Sequence, residues 1–314
     1  MIMIFIFIIF VIVMLIFIIA AVIVFSDSGV VFENGRIIKG KEVTPFREIP
    51  CNKDIFLFYY LAKKLGIISG DESRENLVSG FILKWVRDGI ITIREKESGA
   101  IVKKKNYDMY LDVDAKFENK QETALYKMFI LASKEGVLQT KAFQKWCGKH
   151  YKKIDDWFTK VDNVTEDSMN KNGYAKTKTV YKRLLFWNIP RDRTVWTDKA
   201  YDQCLYVWGF NNFLEDEDNM KEKAAIEVKL WDEYLIFAAV LGIADRVEKQ
   251  LKVAIPRYEE TSTYNNFPIY YYTHTFAHNS MSAASSAASA GQGGSSSFSG
   301  GGGGFSGGGG GGVR

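Results

Sequence analysis

The sequence predicts a mostly helical α+β protein: an N-terminal transmembrane helix, tandem winged-helix-like domains, a C-terminal helical segment and a disordered Gly/Ser tail. Three observations carry that prediction. Residues 1–25 hold no charged or polar side chain, a helix–helix–hairpin pattern follows and then partly repeats, and the chain ends in nearly pure glycine and serine.

Met1 to Phe25 is built from Ile, Val, Phe, Leu, Met and Ala. A helix of that length rises roughly 37 Å, more than the ~30 Å hydrocarbon core of a bilayer. In lipid the backbone has no hydrogen-bond partner but itself, so the helix forms although β-branched residues disfavour it in water. A cleaved signal peptide would need a basic start, an apolar core of about 7–15 residues and a small-x-small cleavage site. No Lys or Arg precedes the run, and Ala20-Ala21 is followed by four more large apolar residues. The segment reads as an anchor, residues 1–25. Arg36, Lys39 and Lys41 follow it, while only the α-amino group precedes it. The basic bias therefore predicts a single-pass protein of the cell (inner) membrane with a cytoplasmic body. Asn163-Val164-Thr165 matches a glycosylation sequon but has no meaning on that side.

Residues 26–45, rich in Gly and short polar side chains, read as a juxtamembrane connector. Residues 46–110 form the first winged-helix-like domain. Its first helix runs from about Lys53 to Leu65 and stops at Gly66, a left-handed cap. Its second runs from Asn76 to Asp88 with Leu77, Phe81 and Trp85 at i, i+4 and i+8, and Asp88-Gly89 closes it. A hairpin follows, Ile90–Ile93 and Ile101–Lys105, around the polar turn Glu95–Gly99. Residues 115–190 repeat the order: a helix from Gln121 to Lys134, a short strand at Val137-Leu138, a helix N-capped by Thr140, a helix from Ile154 to Met169, and strand character over Tyr174–Phe186. Residues 195–256 are a helical region. Within it Lys221–Val253 is amphipathic, and Tyr234–Ala244 is free of charge but too short to span a bilayer, which predicts a buried helix. Residues 257–314 lack core-forming side chains over most of their length and read as a disordered tail.

All Lys, Arg, Asp and Glu except Arg314 lie between Ser26 and Glu260, giving the body 40 basic and 37 acidic residues. That balance is far from the concentrated charge of a dedicated nucleic-acid binder. Cys51, Cys147 and Cys204 are odd in number and widely spaced, which argues for buried free thiols in a reducing compartment.

No catalytic, cofactor or metal site is expected. Cys147 and His150 share a helix face, but two ligands make no zinc site. His274 and His278 are four residues apart where the chain turns disordered, without an acidic residue between them. Asp112, Asp114 and the run Glu215–Asp218 lack the glycine and distal glutamate of a calcium loop. The glycine-rich tail has no Gly-Lys-Ser/Thr ending and is no phosphate loop. An enzyme is not expected.

Several segments nevertheless form a recognisable set: Pro45-Phe46-Arg47-Glu48-Ile49-Pro50-Cys51-Asn52, Gly80-Phe81-Ile82-Leu83-Lys84-Trp85-Val86, Lys229-Leu230-Trp231-Asp232-Glu233-Tyr234-Leu235, Leu241-Gly242-Ile243-Ala244-Asp245 and the Gly/Ser/Phe tail. Together they resemble the C-terminal part of the uncharacterised bacterial membrane proteins with a DUF2207 domain, over essentially all of Ser26–Arg314. The resemblance implies an extracytoplasmic β-rich domain ahead of the membrane helix and, in many members, further membrane helices between the conserved blocks. Residues 184–213 carry Arg191, Asp192, Arg193, Asp198, Lys199 and Asp202, so no span is expected there. The chain reads as a short form or the C-terminal half of a split gene. The resemblance supplies no catalytic residues.

Two functions fit. The first is a cytoplasmic scaffold or regulatory module, held by residues 1–25 in the membrane and contacting other membrane or cytoplasmic proteins. The second is a membrane-tethered winged-helix nucleic-acid binder, for which Lys103-Lys104-Lys105 and Lys141, Lys145, Lys149, Lys152 and Lys153 are the candidate contacts. Only Lys84 and Arg87 stand on the first recognition helix, so nucleic acid is not the expected partner. The same lysines suit anionic lipid headgroups.

Overall fold

The computed structural model describes residues 30–98, 104–184, 187–216, 228–254, 264 and 269–292. The predicted membrane helix, residues 1–25, lies outside the described residues, as do residues 293–314 of the tail. Among the described residues no helix is long and apolar enough to cross a membrane.

Helix α1 (Ile55–Lys64) starts at Asp54, whose carboxylate accepts from the amides of Phe56 at 2.9 Å and Leu57 at 3.1 Å. That cap satisfies two of the helix's orphan donors. Gly66, at φ +71°, ends it as expected. Helix α2 (Glu72–Arg87) begins four residues earlier than its apolar periodicity suggested and closes at Gly89, φ +74°. Strands β1 (Ile91–Ser98) and β2 (Lys104–Leu111) pair as a hairpin, but Glu95–Ser98 of the expected turn is strand and β2 continues past the expected end at Lys105 to Leu111, while residues 99–103 lie outside the described residues. Helix α3 (Lys120–Ala132) is capped by Asn119, and strand β3 (Val137–Gln139) precedes helices α4 (Thr140–Lys149) and α5 (Tyr151–Lys171). Thr140 is the first helical residue of α4 and not its cap; Gln139 holds that position without a side-chain bond.

A second, separate hairpin follows, β4 (Ala175–Leu184) and β5 (Trp187–Trp196), then helix α6 (Asp198–Glu215). The single amphipathic segment predicted over Lys221–Val253 divides into α7 (Val228–Leu241) and α8 (Ala244–Ala254). The break is Gly242 at φ +78°, where a Cβ would stand 2.7 Å from the Asn76 amide. As predicted, the charge-free stretch is a buried helix: every residue from Tyr234 to Leu241 is buried.

Strand pairing links the two predicted winged-helix-like units. Strand β3 belongs by sequence to the second, yet it completes the sheet of the first, with Met109 opposite Leu138 in the order β1-β2-β3. The second hairpin runs to Trp196, beyond the expected boundary at 190. One hydrophobic core runs through the described residues. At its centre α7 crosses α2 so closely that a Cβ on Gly80 would lie 2.7 Å from the Val240 side chain. Phe58 meets Phe237 edge-on at 5.1 Å, and Trp85 meets Tyr126 and Phe129 at 4.9 and 5.2 Å. Each such ring, fully buried, contributes about 1.5–3 kcal/mol.

The expectation of a disordered tail over residues 257–314 fails between Ile269 and Gln292, which form helix α9. This helix packs on α2, α4 and α5. Its Ile269, Phe276 and Met281 are buried, with Phe276 stacked on Phe143 at 5.2 Å. The Ser/Ala content that suggested disorder permits close approach instead: a Cβ on Gly148 of α4 would lie 3.5 Å from the Ala283 carbonyl.

Candidate functional site

The residues read as a connector are held along helix α6. The ring of Phe32 meets the Tyr201 ring at 5.0 Å. The Arg36 guanidinium lies 3.9 Å over that same Tyr201 ring while pairing with Asp198 at 2.7 Å. Asn212 donates from one side-chain amide to the carbonyls of Gly40 and Val43, both at 2.8 Å. Phe46 donates its backbone N–H to the Gly209 carbonyl at 2.8 Å and stacks on Tyr206 at 4.6 Å. Two glycines make this fit possible. A Cβ on Gly209 would stand 2.8 Å from the Thr44 carbonyl and from Phe46, and one on Gly40 would run into the Trp208 indole. An apolar groove of about 530 Å³, lined by Ile37, Val43, Pro45, Tyr201 and Tyr206, runs beside the clamp.

Beyond the clamp the backbone makes one left-handed turn. Cys51, Asn52 and Lys53 have φ of 59°, 51° and 64°. For L-residues this costs roughly 1–2 kcal/mol each. The turn is held by Lys53 N–H to the Pro50 carbonyl (3.1 Å), Asp54 N–H to the Cys51 carbonyl (2.9 Å) and Cys51 N–H to Gln203 Oε1 (3.1 Å). Lys53 Nζ adds an ion pair to Glu233 at 2.7 Å. Asn52 thereby borders two clefts. One, of about 420 Å³, has walls from Asn119, Gln121, Thr165, Ser168 and Asn172. The other, about 590 Å³, lies against Arg47, Glu48, Leu230 and Tyr234. Tyr234 donates to the Arg47 carbonyl at 2.8 Å and closes its floor. The carboxamides and hydroxyls of the first cleft donate and accept hydrogen bonds, and Asp54, Lys199 and the apolar Phe56, Leu57, Val164 and Met169 share its lining. Backbone strain of this kind concentrates at functional sites. The only sign of it in the sequence is Asn52, a residue type that tolerates the left-handed region.

The residues weighed for chemistry are dispersed. All three cysteines are buried and free. Burial pushes the Cys51 and Cys204 thiols well up and Cys147 to about 12, so none is a ready thiolate. His150 caps the end of α4 with its ring against Trp146 at 4.6 Å, and Cys147 is buried. His274 and His278 stand on α9, not in a disordered segment. No acidic residue stands between them, but another helix supplies one: His278 Nδ1 is 2.9 Å from Oε2 of the buried Glu75. The Asp112 carboxylate accepts from the Asp114 amide at 3.0 Å, a local turn. Of the acidic run Glu215–Asp218, Glu215 ends α6 and Asp216 caps it, while residues 217–227 lie outside the described residues. Among the described residues no group of three metal-ligating side chains comes together. Lys84 and Arg87 are engaged, Lys84 with Glu122 at 2.6 Å and Arg87 with Glu233 at 3.4 Å. Lys141, Lys145, Lys149, Lys152 and Lys153 are exposed; Lys103 lies outside the described residues.

No curated protein and no solved structure matches the chain. Residues 183–251 match the family model described as the predicted membrane protein (DUF2207) C-terminal domain. That stretch, narrower than the resemblance drawn from the whole body, contains β5, the clamp helix α6 and the buried helix α7. Over residues 183–251 the chain is similar to the C-terminal domain of the DUF2207 predicted membrane proteins.

Proposed function

We propose that the chain is a single-pass membrane protein whose body is a cytoplasmic interaction module, a scaffold or regulatory subunit that performs no catalysis. The observation that carries this reading is the clamp on α6. A flexible tether would let a body roam, whereas a connector bonded through Gly40, Val43 and Phe46 holds it at one distance and orientation from an anchor at residues 1–25. The strained Cys51–Lys53 turn and its two clefts supply a recognition surface next to that mount. The element order of residues 46–110 and 115–196 supports winged-helix-like units fused through β3. Buried, protonated thiols and dispersed histidines support a role without covalent chemistry.

A membrane-tethered nucleic-acid binder is the second reading, favoured by the exposed row Lys141, Lys145 and Lys149 on α4. Against it, all three basic residues of the presumed recognition helix α2, Arg74, Lys84 and Arg87, are tied to carboxylates. A crosslinked pull-down of the intact protein from native membranes, with and without nuclease, tests the choice. Defined protein partners that survive nuclease are expected. Nucleic acid recovered with the bait, and lost at raised salt, would contradict the scaffold reading.

A further inference from the structure

Gln121 is a buried carboxamide with nothing to bond. It stands in the first turn of α3, where its backbone N–H goes to the Asn119 cap (2.7 Å) and its carbonyl accepts from the Trp157 indole (2.9 Å). Its side chain has no hydrogen-bond partner among the described residues, although only 8% of the residue is exposed. A carboxamide withdrawn from water is costly unless it is bonded, and such orphans are rare in folded proteins. Gln121 lines the polar cleft beside the Asn52 turn and also a further cleft of about 710 Å³ between α3 and α5.

The two clefts share Asn119, Gln121 and Val164, so they are the two ends of one groove along α5. From Lys153 to Asn172 that helix runs about 28 Å. An extended chain of about eight residues covers the same length. Val164, 44% exposed, is an apolar step at the middle. The groove is poorly built for an anion. Both helix ends that open on it are already capped, α1 by Asp54 on the amides of Phe56 and Leu57, α3 by Asn119 on those of Gln121 and Glu122. Lys199 directs its ammonium to the Asn172 carbonyl (3.0 Å) and the Tyr174 ring (4.2 Å). In the other cleft Lys120, Lys153 and Lys160 share the walls with Glu118 and Asp156, so neither sign prevails. A sugar ring stacks on an open aromatic face, but Trp157 is buried against Phe158 and the Tyr174 face carries Lys199.

We propose that this groove takes an extended, uncharged stretch of a partner polypeptide, whose main chain bonds to the Gln121 carboxamide. A carboxamide holds the donor and the acceptor of a peptide group in one plane, so it pairs with the C=O and N–H of a peptide main chain together. Asn172 and Asn52 offer the same groups further along, and the left-handed turn fixes Asn52 at that end. Recognition through main-chain bonds is an established mode for extended segments. The inference rests on the reading of the body as an interaction module and names what that module holds.

The test is a phage library of random heptapeptides selected on the full chain in lipid nanodiscs, with the binding of a selected peptide measured by fluorescence anisotropy. Gln121→Leu is expected to keep the urea midpoint of the unaltered protein, since the side chain has no partner to lose, and to weaken the peptide about tenfold, the loss of two neutral hydrogen bonds. N-methylation of the peptide, scanned along its length, is expected to weaken binding about threefold or more at one position in the unaltered protein and to have no effect at that position in Gln121→Leu. No selected peptide, or peptides held equally by both proteins, overturns the groove. A lowered urea midpoint in Gln121→Leu also overturns it, by making the carboxamide a structural group. A neutral oligosaccharide from a glycan array that only the unaltered protein retains, with no peptide selected, overturns the peptide in favour of a sugar. The membrane pull-down run alongside separates the two readings. Partners recovered equally with both proteins leave the interaction module standing without this groove, and partners recovered with neither overturn both.

Discussion

Phe46 donates its backbone N–H to the Gly209 carbonyl at 2.8 Å, at a point where the absence of a side chain on Gly209 lets the connector lie directly on helix α6. The bond joins the segment next to the predicted membrane anchor to the stretch that carries the family match. A methyl group at Gly209 would meet the Thr44 carbonyl and Phe46 at 2.8 Å, and backbone cannot rotate away as a side-chain end can.

Gly209→Ala is therefore expected to lower stability by about 1–3 kcal/mol through overpacking, less up to ~1 kcal/mol regained from helix propensity. Asn212→Ala removes two hydrogen bonds and is expected to cost about 1–3 kcal/mol. Urea unfolding of each variant measures both. No change in midpoint for either would mean that the connector does not bear on the fold.

The left-handed turn gives the opposite sign. Lys53→Gly relieves roughly 1–2 kcal/mol of backbone strain and forfeits the half-exposed pair with Glu233, worth about 0–1 kcal/mol. A higher unfolding midpoint is expected. If the turn serves recognition, the stabilised variant recovers fewer partners in the pull-down.

Helix α9 is predicted to be indispensable. Truncation after Tyr264 strips cover from Phe129 and Phe143, each within 6 Å of the Phe276 ring, and the loss of several buried side chains at about 1.5–3 kcal/mol each approaches the whole stability of a domain. Such a chain is expected in the insoluble fraction. Truncation after Gln292 is expected to leave the unfolding midpoint unchanged.

Stability should fall in alkali. Cys147 rises from 9.0 to about 12 on burial, and Tyr270 and Tyr272 from 10.0 to about 12 for the same main reason. Between the ordinary and the raised values the unfolded chain releases protons that the folded chain keeps, so the unfolded state gains with rising pH. The contribution is complete below about pH 9 and is lost by about pH 12. Unfolding midpoints across that window measure it, and thiol labelling of Cys147 should stay slow until the protein opens.

Much of this architecture was legible because it is written in local chemistry. The glycines at 66 and 89 mark helix ends, and the charge-free run from Tyr234 marks a buried helix by what it lacks, whereas the break at Gly242 is hidden because the amphipathic pattern continues across it. Helix α9 was not legible, because Ser and Ala between Ser280 and Ala290 look like a linker until Gly148 is seen to receive Ala283 and Phe143 to receive Phe276. The clamp was hidden for a related reason: its bonds run to backbone carbonyls of Gly40, Val43 and Gly209, which no side-chain pattern announces. The partner of His278 was missed because Glu75 is distant in sequence and only the packing of α9 on α2 unites them.

The measurement that bears most directly on a rigidly mounted membrane module is amide hydrogen exchange on the full chain in lipid nanodiscs, read over residues 30–46. Slow exchange at Val43 and Phe46, made fast by Gly209→Ala, is the predicted result. Exchange at the rate of an open linker in the unaltered protein would contradict it.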